Sequence, residues 1–212
     1  MIDHRLPWIV GVSGASGTPY AKAVLNALLD AGCPVDLIVS RAARLTILDE
    51  TGIAFRDNHW AEDLASWLGR EPIDVRYWTA TDLAAGPASG SYRTAGMIVV
   101  PASTAAVSGI ALGLSKDLLQ RAADVTLKER RPLVVVPRET PYARSTLTSL
   151  VALYDAGAVV LPASPAFYAG ADSVQQLVDF IAAKVLDAIG IRHQLINRWT
   201  GQLGVERATD SD

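Results

Sequence analysis

Five short apolar runs, rich in β-branched residues, recur along the chain with room for a helix between neighbours: Trp8–Val12, Val35–Val39, Met97–Val100, Leu133–Val136 and Ala158–Leu161. A run that is apolar at successive positions suits a strand covered on both faces, and strands separated by helical crossovers pair in parallel. The pattern predicts an α/β chain with a mostly parallel central sheet. Helices are expected near Tyr20–Ala31, Arg41–Glu50, Thr104–Leu112, Asp117–Glu129 and Ser145–Ala156, with Val174–Ile189 closing the fold. With 212 residues, half of them hydrophobic, residues 1–212 are expected to form one domain with a sizeable core. Two regions escape the alternation. Residues 55–93 read as an excursion from the sheet, with a possible strand Ile73–Trp78 and the loop "DLAAGPASGSYR" as a functional element. From about residue 192 a polar tail begins, in which Trp199 packs either on another subunit or within its own chain.

A formal net charge of −3 gives no global attraction to nucleic acid or an anionic membrane, so neither is expected as a partner. The single cysteine, Cys33, rules out an intramolecular disulfide, and His4, His59 and His193 lack any ligand spacing. A cytoplasmic setting and no metal site are the expectation. Met1 to Pro7 carries charges and no apolar core of a secretory signal. The uncharged stretch Met97 to Leu114 is long enough to span a membrane, yet Pro101, two glycines, two serines and a threonine interrupt it. A buried strand running into a helix N-terminus accounts for it better.

The first strand runs into "GVSGASGTPYA", with glycines at 11, 14 and 17 before a helix. Strand, glycine turn and helix place backbone N–H groups and a helix N-terminus where an anion can be received. Gly14, Ala15, Ser16 and Gly17 are therefore phosphate or flavin contacts, or simply a tight connection. The spacing G-x-x-G-x-x-G differs from the dinucleotide fingerprint, and it lacks the Lys and Ser/Thr of a P-loop. At the end of the next strand, where NAD-binding folds place an acid for the ribose, stand Ser40 and Arg41. Ser40 is either a ligand contact or the N-cap of the following helix.

Charges at element ends extend the set. Glu50 sits in a last helical turn before Thr51-Gly52, where the macrodipole disfavours an acid; it is a functional acid or a solvated one. Arg121, Asp124 and Lys128, at i, i+3 and i+7, share one helix face. Arg138 and Glu139 follow a strand end, where ligands of open parallel sheets bind, and are suited to holding a phosphate and moving a proton. Phe167 and Tyr168 follow the next strand and offer an aromatic wall, or core packing in the case of Phe167. Ser103 and Thr104 start another helix on the same edge.

Together "GVSGASGTPYA", "SRAARLTILDETG", "PASGS", "PASTAAVSGIA", "LLQRAADVTLKERRPLVVVPRETP", "GAVVLPASPAFY" and "RWTG" closely resemble the flavin prenyltransferase family of the bacterial ubiquinone pathway, the UbiX type, from about residue 9 to 201. The resemblance implies a Rossmann-like, flavodoxin-type three-layer sandwich, assembled into a dodecamer with active sites at subunit contacts. It implies that reduced FMN receives a dimethylallyl group from dimethylallyl monophosphate at N5 and then C6. The prenylated FMN produced would serve a UbiD-type decarboxylase; aromatic acid decarboxylase is an older family label. Matched residue by residue, Gly14, Ala15, Ser16, Ser40, Ser103, Thr104, Ala105, Ala106 and Arg138 fall on FMN-contacting positions. Tyr168 and Lys184 fall on prenyl-phosphate positions, with Arg121 and Lys128 expected nearby. Ser16, Glu50 and Glu139 fall on positions tied to flavin positioning and proton movement. Ala102 replaces a cysteine common in the family, Lys184 stands where many members have Arg, and Leu83 where some carry an aromatic residue.

These residues carry a physical expectation: cations grip the leaving phosphate on one shared rim of the sheet, while apolar walls keep water from a cation-like allyl fragment. A monophosphate needs less charge neutralisation than a diphosphate, and the sequence has no Asp-rich magnesium motif, so turnover without metal is expected. Glu139, Glu50 and the released phosphate are the available bases for ring closure. Two rivals remain at this stage: an FMN-binding or flavin-delivery protein without transferase activity, and a flavin-dependent decarboxylase of the related cysteine-decarboxylase fold.

Overall fold

The computed structural model of the protein describes residues 6–167 and 171–198. Its elements follow one another as β1 Trp8–Val12, α1 Thr18–Asp30, β2 Val35–Val39, α2 Arg41–Thr51, α3 Trp60–Leu68, β3 Val75–Thr79 and β4 Gly96–Ala102, then α4 Thr104–Ala111, α5 Leu118–Lys128, β5 Leu133–Pro137, α6 Arg144–Asp155, β6 Val159–Val160 and α7 Val174–Ala188. Six strands form one parallel sheet in the order β3-β2-β1-β4-β5-β6. All five expected strands and all six expected helices are present, with ends displaced by one or two residues. The fold is the α/β flavodoxin-like sandwich with a parallel central sheet.

Strand side chains alternate between two cores, as the two-residue pleat requires. Val10, Val12, Leu37, Val39, Ile98 and Val100 face α1, α2, α3 and α7. Ile9, Ile38, Met97, Val99, Leu133 and Val135 face α4, α5 and α6. Chain direction across the sheet reverses between β1 and β4, so their crossovers lie on opposite faces. The crevice left at the carboxyl ends of these two strands is where an open α/β sheet receives its ligand.

Residues 55–93 correct the sequence reading. Instead of leaving the sheet, they return to it: β3 pairs with β2 from Val35↔Val75 to Val39↔Thr79. The preceding helix α3, which the apolar periodicity did not bring out, buries Leu64, Trp67 and Leu68 at i, i+3 and i+4 and stops at Gly69 in the left-handed region. Its nine residues are too short for the pattern to stand out. The loop at the end of this stretch then descends from β3 to the start of β4, crossing beside α5.

Gly96 starts β4 with φ 156° where a Cβ would lie 2.5 Å from both the Pro132 carbonyl oxygen and the Trp8 ring. Gly96→Ala is expected to lower the denaturant-unfolding free energy by about 1–3 kcal/mol, the usual cost of overpacking a filled site. Denaturation of the variant beside the wild type measures it.

Candidate active site

The crevice between β1 and β4 is braced by a residue outside the expected set. Ser13, only 2% exposed, donates its hydroxyl to the Pro101 carbonyl at 2.8 Å and accepts the Ser103 N–H at 2.7 Å. Its own N–H reaches Pro101 O at 3.2 Å. One side chain thus sets the turn after β1 against the turn after β4. The only sequence signal for it is a small hydroxyl residue at the last position before the glycine turn.

The glycine turn itself is shaped by close approach. A Cβ on Gly14 would lie 2.4 Å from the Ala42 Cβ, so the turn can pass over the start of α2 only without a side chain. Gly17, at φ 115°, sits in the left-handed region and leads into α1. The anion at the α1 N-terminus is the protein's own. Glu50 accepts the Gly17 N–H at 2.9 Å, and the Thr18 N–H and hydroxyl at 2.8 and 2.6 Å. Partial burial would raise the Glu50 pKa, but hydrogen bonds from Thr18, Ser16 and Gly17 outweigh it and hold the carboxyl below its usual range. An acid disfavoured at the end of α2 is therefore explained by the start of α1. A ligand phosphate at this rim must look to other donors.

Those donors lie close by. Ser40 caps α2 by accepting the Ala43 N–H at 3.1 Å, and Ser103 caps α4 by accepting the Ala106 N–H at 3.3 Å. Each cap satisfies one amide of its helix, so capping and ligand contact are compatible readings. Arg138 donates its Nε to the Ser16 carbonyl at 2.9 Å, and its N–H approaches Ala102 O at 3.3 Å. The guanidinium is thereby fastened to the glycine turn. Glu139 accepts the Thr140 N–H at 2.9 Å and opens on a cleft of about 370 Å³ shared with Thr104, Ala105 and Ser145. Gly14, Ala15, Ser16, Ser40, Glu50, Ser103 to Ala106, Arg138 and Glu139 thus belong to one end of the sheet.

Arg121, Lys128 and Lys184 find their polar partners outside this set. Arg121, in the second turn of α5, donates Nε to the Ala88 carbonyl at 3.1 Å and pairs with Asp124 at 2.8 Å. Lys128, at the far end of α5, pairs with Glu129 at 2.5 Å. A helix rises about 1.5 Å per residue, so the two cations are separated by about 10 Å along the axis. The start of α5 lies by the end of β3, where the Leu118 N–H reaches Ala80 O at 2.8 Å, and Lys128 is at the end that leads into β5. Lys184 lies on α7, 3.8 Å from Asp187, whose carboxylate also holds His193 and Arg198. Tyr168 lies outside the described residues, as does Trp199. Phe167 is 75% exposed, which removes core packing as its role.

Among the described residues no cluster of three His, Cys, Asp or Glu side chains has metal-binding geometry, and no helix is long and apolar enough to cross a membrane.

Comparison with known proteins adds to this geometry. The chain matches the family described as Flavoprotein over residues 2–186. It is 66% identical to the flavin prenyltransferase UbiX of Streptomyces coelicolor, across 96% of this chain and all of that protein. The crystal structure of AnUbiX in complex with FMN and dimethylallyl pyrophosphate superposes with a TM-score of 0.82 at 35% identity, covering 93% of this chain and 99% of that one. A dodecameric FMN-dependent Ubix-like decarboxylase from Escherichia coli O157:H7 superposes equally well, at 0.82 and 38% identity, covering 92% and 100%.

Two variants test the brace and the cap. Ser13→Ala leaves the partly buried Ser103 N–H without its acceptor and is expected to cost about 1 kcal/mol in unfolding free energy. Glu50→Gln is expected to cost about 1 kcal/mol at neutral pH, a typical loss for a helix cap. Because the folded carboxyl titrates below its unfolded value, the stabilisation is present above the unfolded pKa and disappears as pH falls through the folded one. The wild-type and Glu50→Gln unfolding curves should therefore converge in acid.

Proposed function

The chain belongs to the flavoprotein family and, within it, to the UbiX flavin prenyltransferases; from that premise we propose that it transfers a dimethylallyl group to reduced FMN. The observation that carries the reading is the crevice at the strand-order reversal, where Ser13 fixes two turns and Arg138 is fastened to the Ser16 carbonyl. Its donor set suits a flavin phosphate: a guanidinium, helix starts capped by Ser40 and Ser103, and a turn in which Gly14 and Gly17 carry no side chain. Gly14, Ala15, Ser16, Ser40, Ser103, Thr104, Ala105, Ala106 and Arg138 are the residues proposed to hold FMN.

Reduced FMN would supply N5, which takes the allylic carbon as its bond to oxygen breaks and phosphate leaves, and then C6, where ring closure adds a proton to the alkene and removes the one on C6. The chain's part is to neutralise the departing phosphate, exclude water and place a base. Arg121, Lys128, Lys184 and Tyr168 are proposed as the phosphate's partners. Since Arg121, Lys128 and Lys184 stand apart from Arg138 within one chain, the site is completed by neighbouring copies, in an assembly such as the dodecamer of the E. coli relative. Glu139, on its open cleft, is the proposed base for ring closure. Glu50, held as an anion by the α1 amides and Ser16, keeps the turn in shape beneath the flavin. We further propose that residues 1–212 act as one flavoprotein domain in the cytoplasm and pass prenylated FMN to a UbiD-type decarboxylase.

The dispersed cations also favour a second reading, a flavin carrier that does not transfer prenyl groups. Incubation of the protein with reduced FMN and dimethylallyl monophosphate, followed by the mass of the released flavin, decides: an added prenyl mass supports transfer, and unmodified FMN supports the carrier. Chelator is expected to leave turnover unchanged. Glu139→Gln should bind FMN normally yet accumulate flavin that has not cyclised, visible in its absorption spectrum; a normal product spectrum would remove Glu139 as the base. Running the assay with the diphosphate in place of the monophosphate measures the donor preference.

A further inference from the structure

Asp36 is a carboxylate inside a central region of the sheet, 1% exposed and on the same face of β2 as Ile38. Burying a charge there costs stability unless donors match it, and a well-packed apolar residue would serve the strand at least as well. Two donors do match it. Trp78 donates Nε1–H to Oδ1 at 2.9 Å, and the Tyr92 hydroxyl donates to Oδ2 at 2.8 Å. Arg76 adds a hydrogen bond to the Tyr92 oxygen at 3.1 Å, and its guanidinium lies 5.6 Å from the Trp78 ring centroid. Burial and the Asp36 carboxylate push the Tyr92 pKa up to about 12, so the phenol remains a donor at neutral pH.

What Asp36 gains is a fixed Tyr92, and Tyr92 ends the segment containing Pro87–Ser91. From there the contacts continue in one direction. Arg131 donates to the Tyr92 carbonyl at 2.8 Å, to the Thr94 hydroxyl at 3.2 Å and to the Gly90 carbonyl at 2.7 Å. The tips of Lys128 and Glu129 rest on Gly90, where a Cβ would lie 2.7 Å from Lys128 Nζ and 2.1 Å from Glu129 Oε1. Two residues earlier, the Ala88 carbonyl receives Arg121 Nε. The segment is therefore a seat for both cations of α5, and Asp36 secures its far end.

We propose that Asp36 and Tyr92 are positioning residues for the prenyl-phosphate contacts: through Arg131 and the 88–92 backbone they set where Arg121 and Lys128 present their charges. The proposal rests on the assignment of those two cations to the donor phosphate, made above. A purely structural role would loosen the edge of the sheet without favouring one substrate over the other. Positioning acts on the donor, because the segment's backbone carbonyls accept from the side chains of Arg121 and Arg131 and from none of the residues proposed to hold FMN.

The test compares Tyr92→Phe with Tyr77→Phe in the full-length protein. Tyr77 is a control of the same kind, since its hydroxyl donates to Asp57 at 2.6 Å and accepts from Arg44 at 3.0 Å, on β3 but off the 86–92 segment. Tyr92→Phe is expected to speed amide hydrogen exchange over residues 86–94 and to raise KM for dimethylallyl monophosphate about ten-fold, the loss of one hydrogen bond to a charged group. FMN affinity should stay within about two-fold of wild type, and Tyr77→Phe should leave the donor KM unchanged. Asp36→Asn, which keeps the side-chain volume, should move the donor KM in the same direction. Unchanged exchange in Tyr92→Phe overturns the brace, and faster exchange with an unchanged donor KM overturns the positioning role. A wild-type protein with no transfer at all would instead sink the prenyltransferase assignment itself, together with the substrate half of this inference, while the exchange result would still judge the brace.

Discussion

A parallel sheet must be covered on both faces, because strands paired this way have apolar side chains above and below and need crossovers to connect them. In this protein that constraint is met by placing the helices of the first half on one face and α4, α5 and α6 on the other. The switch between faces falls between β1 and β4. No crossover fills the space above the carboxyl ends of these two strands, so the chain's covering rule itself leaves the ligand crevice open. Ser13 then ties the two turns that border it, with a single buried hydroxyl acting as donor to one and acceptor for the other.

The glycine turn illustrates how local rules and tertiary context divide the work. A glycine turn before a helix is a general anion receptor, and sequence reasoning offers it to a ligand. Here the α1 amides of Gly17 and Thr18 are taken by Glu50, thirty-odd residues away, which is why an acid survives at the unfavourable end of α2. A protein carboxylate that fills one helix N-terminus leaves Arg138 and the starts of α2 and α4 as the donors proposed for a phosphate. The turn is then a structural platform as much as a receptor, and the electrostatic task moves to its neighbours.

The cations show a different division. Two of the residues matched to the donor phosphate, Arg121 and Lys128, are ordered by the 86–92 segment on the flank of α5, and Lys184 by Asp187 on α7. Each is held in place by its own scaffold, yet none of the three meets Arg138 inside the subunit. On the proposed assignment a single chain would carry parts of a site in several places, and assembly is what would bring complementary parts together. Preorganising each part before association keeps the cost of ordering out of the binding step.

The sequence alone determined the alternation of strands and helices, because short unbroken apolar runs set against a helical period near four are written in the side chains themselves and survive without any long-range contact. It also brought out the residues of the crevice, since Ser40, Ser103, Arg138 and Glu139 all follow strand ends, and it supported the resemblance that joined them into one chemistry. It did not reveal α3, and it offered the strand that became β3 only as a possible one, Ile73–Trp78, in an excursion from the sheet, for a nine-residue helix and a half-exposed edge strand carry weak periodic signals. Tertiary structure alone decided that Glu50 caps α1, that Ser13 links two turns and that Asp36 reaches Tyr92, because each pairing joins residues 32 to 90 positions apart. It also decided that the cations of α5 find their partners at Ala88, Asp124 and Glu129. A helix face orders charges along its own axis, but which end of the sheet that axis reaches depends on how the whole chain crosses over.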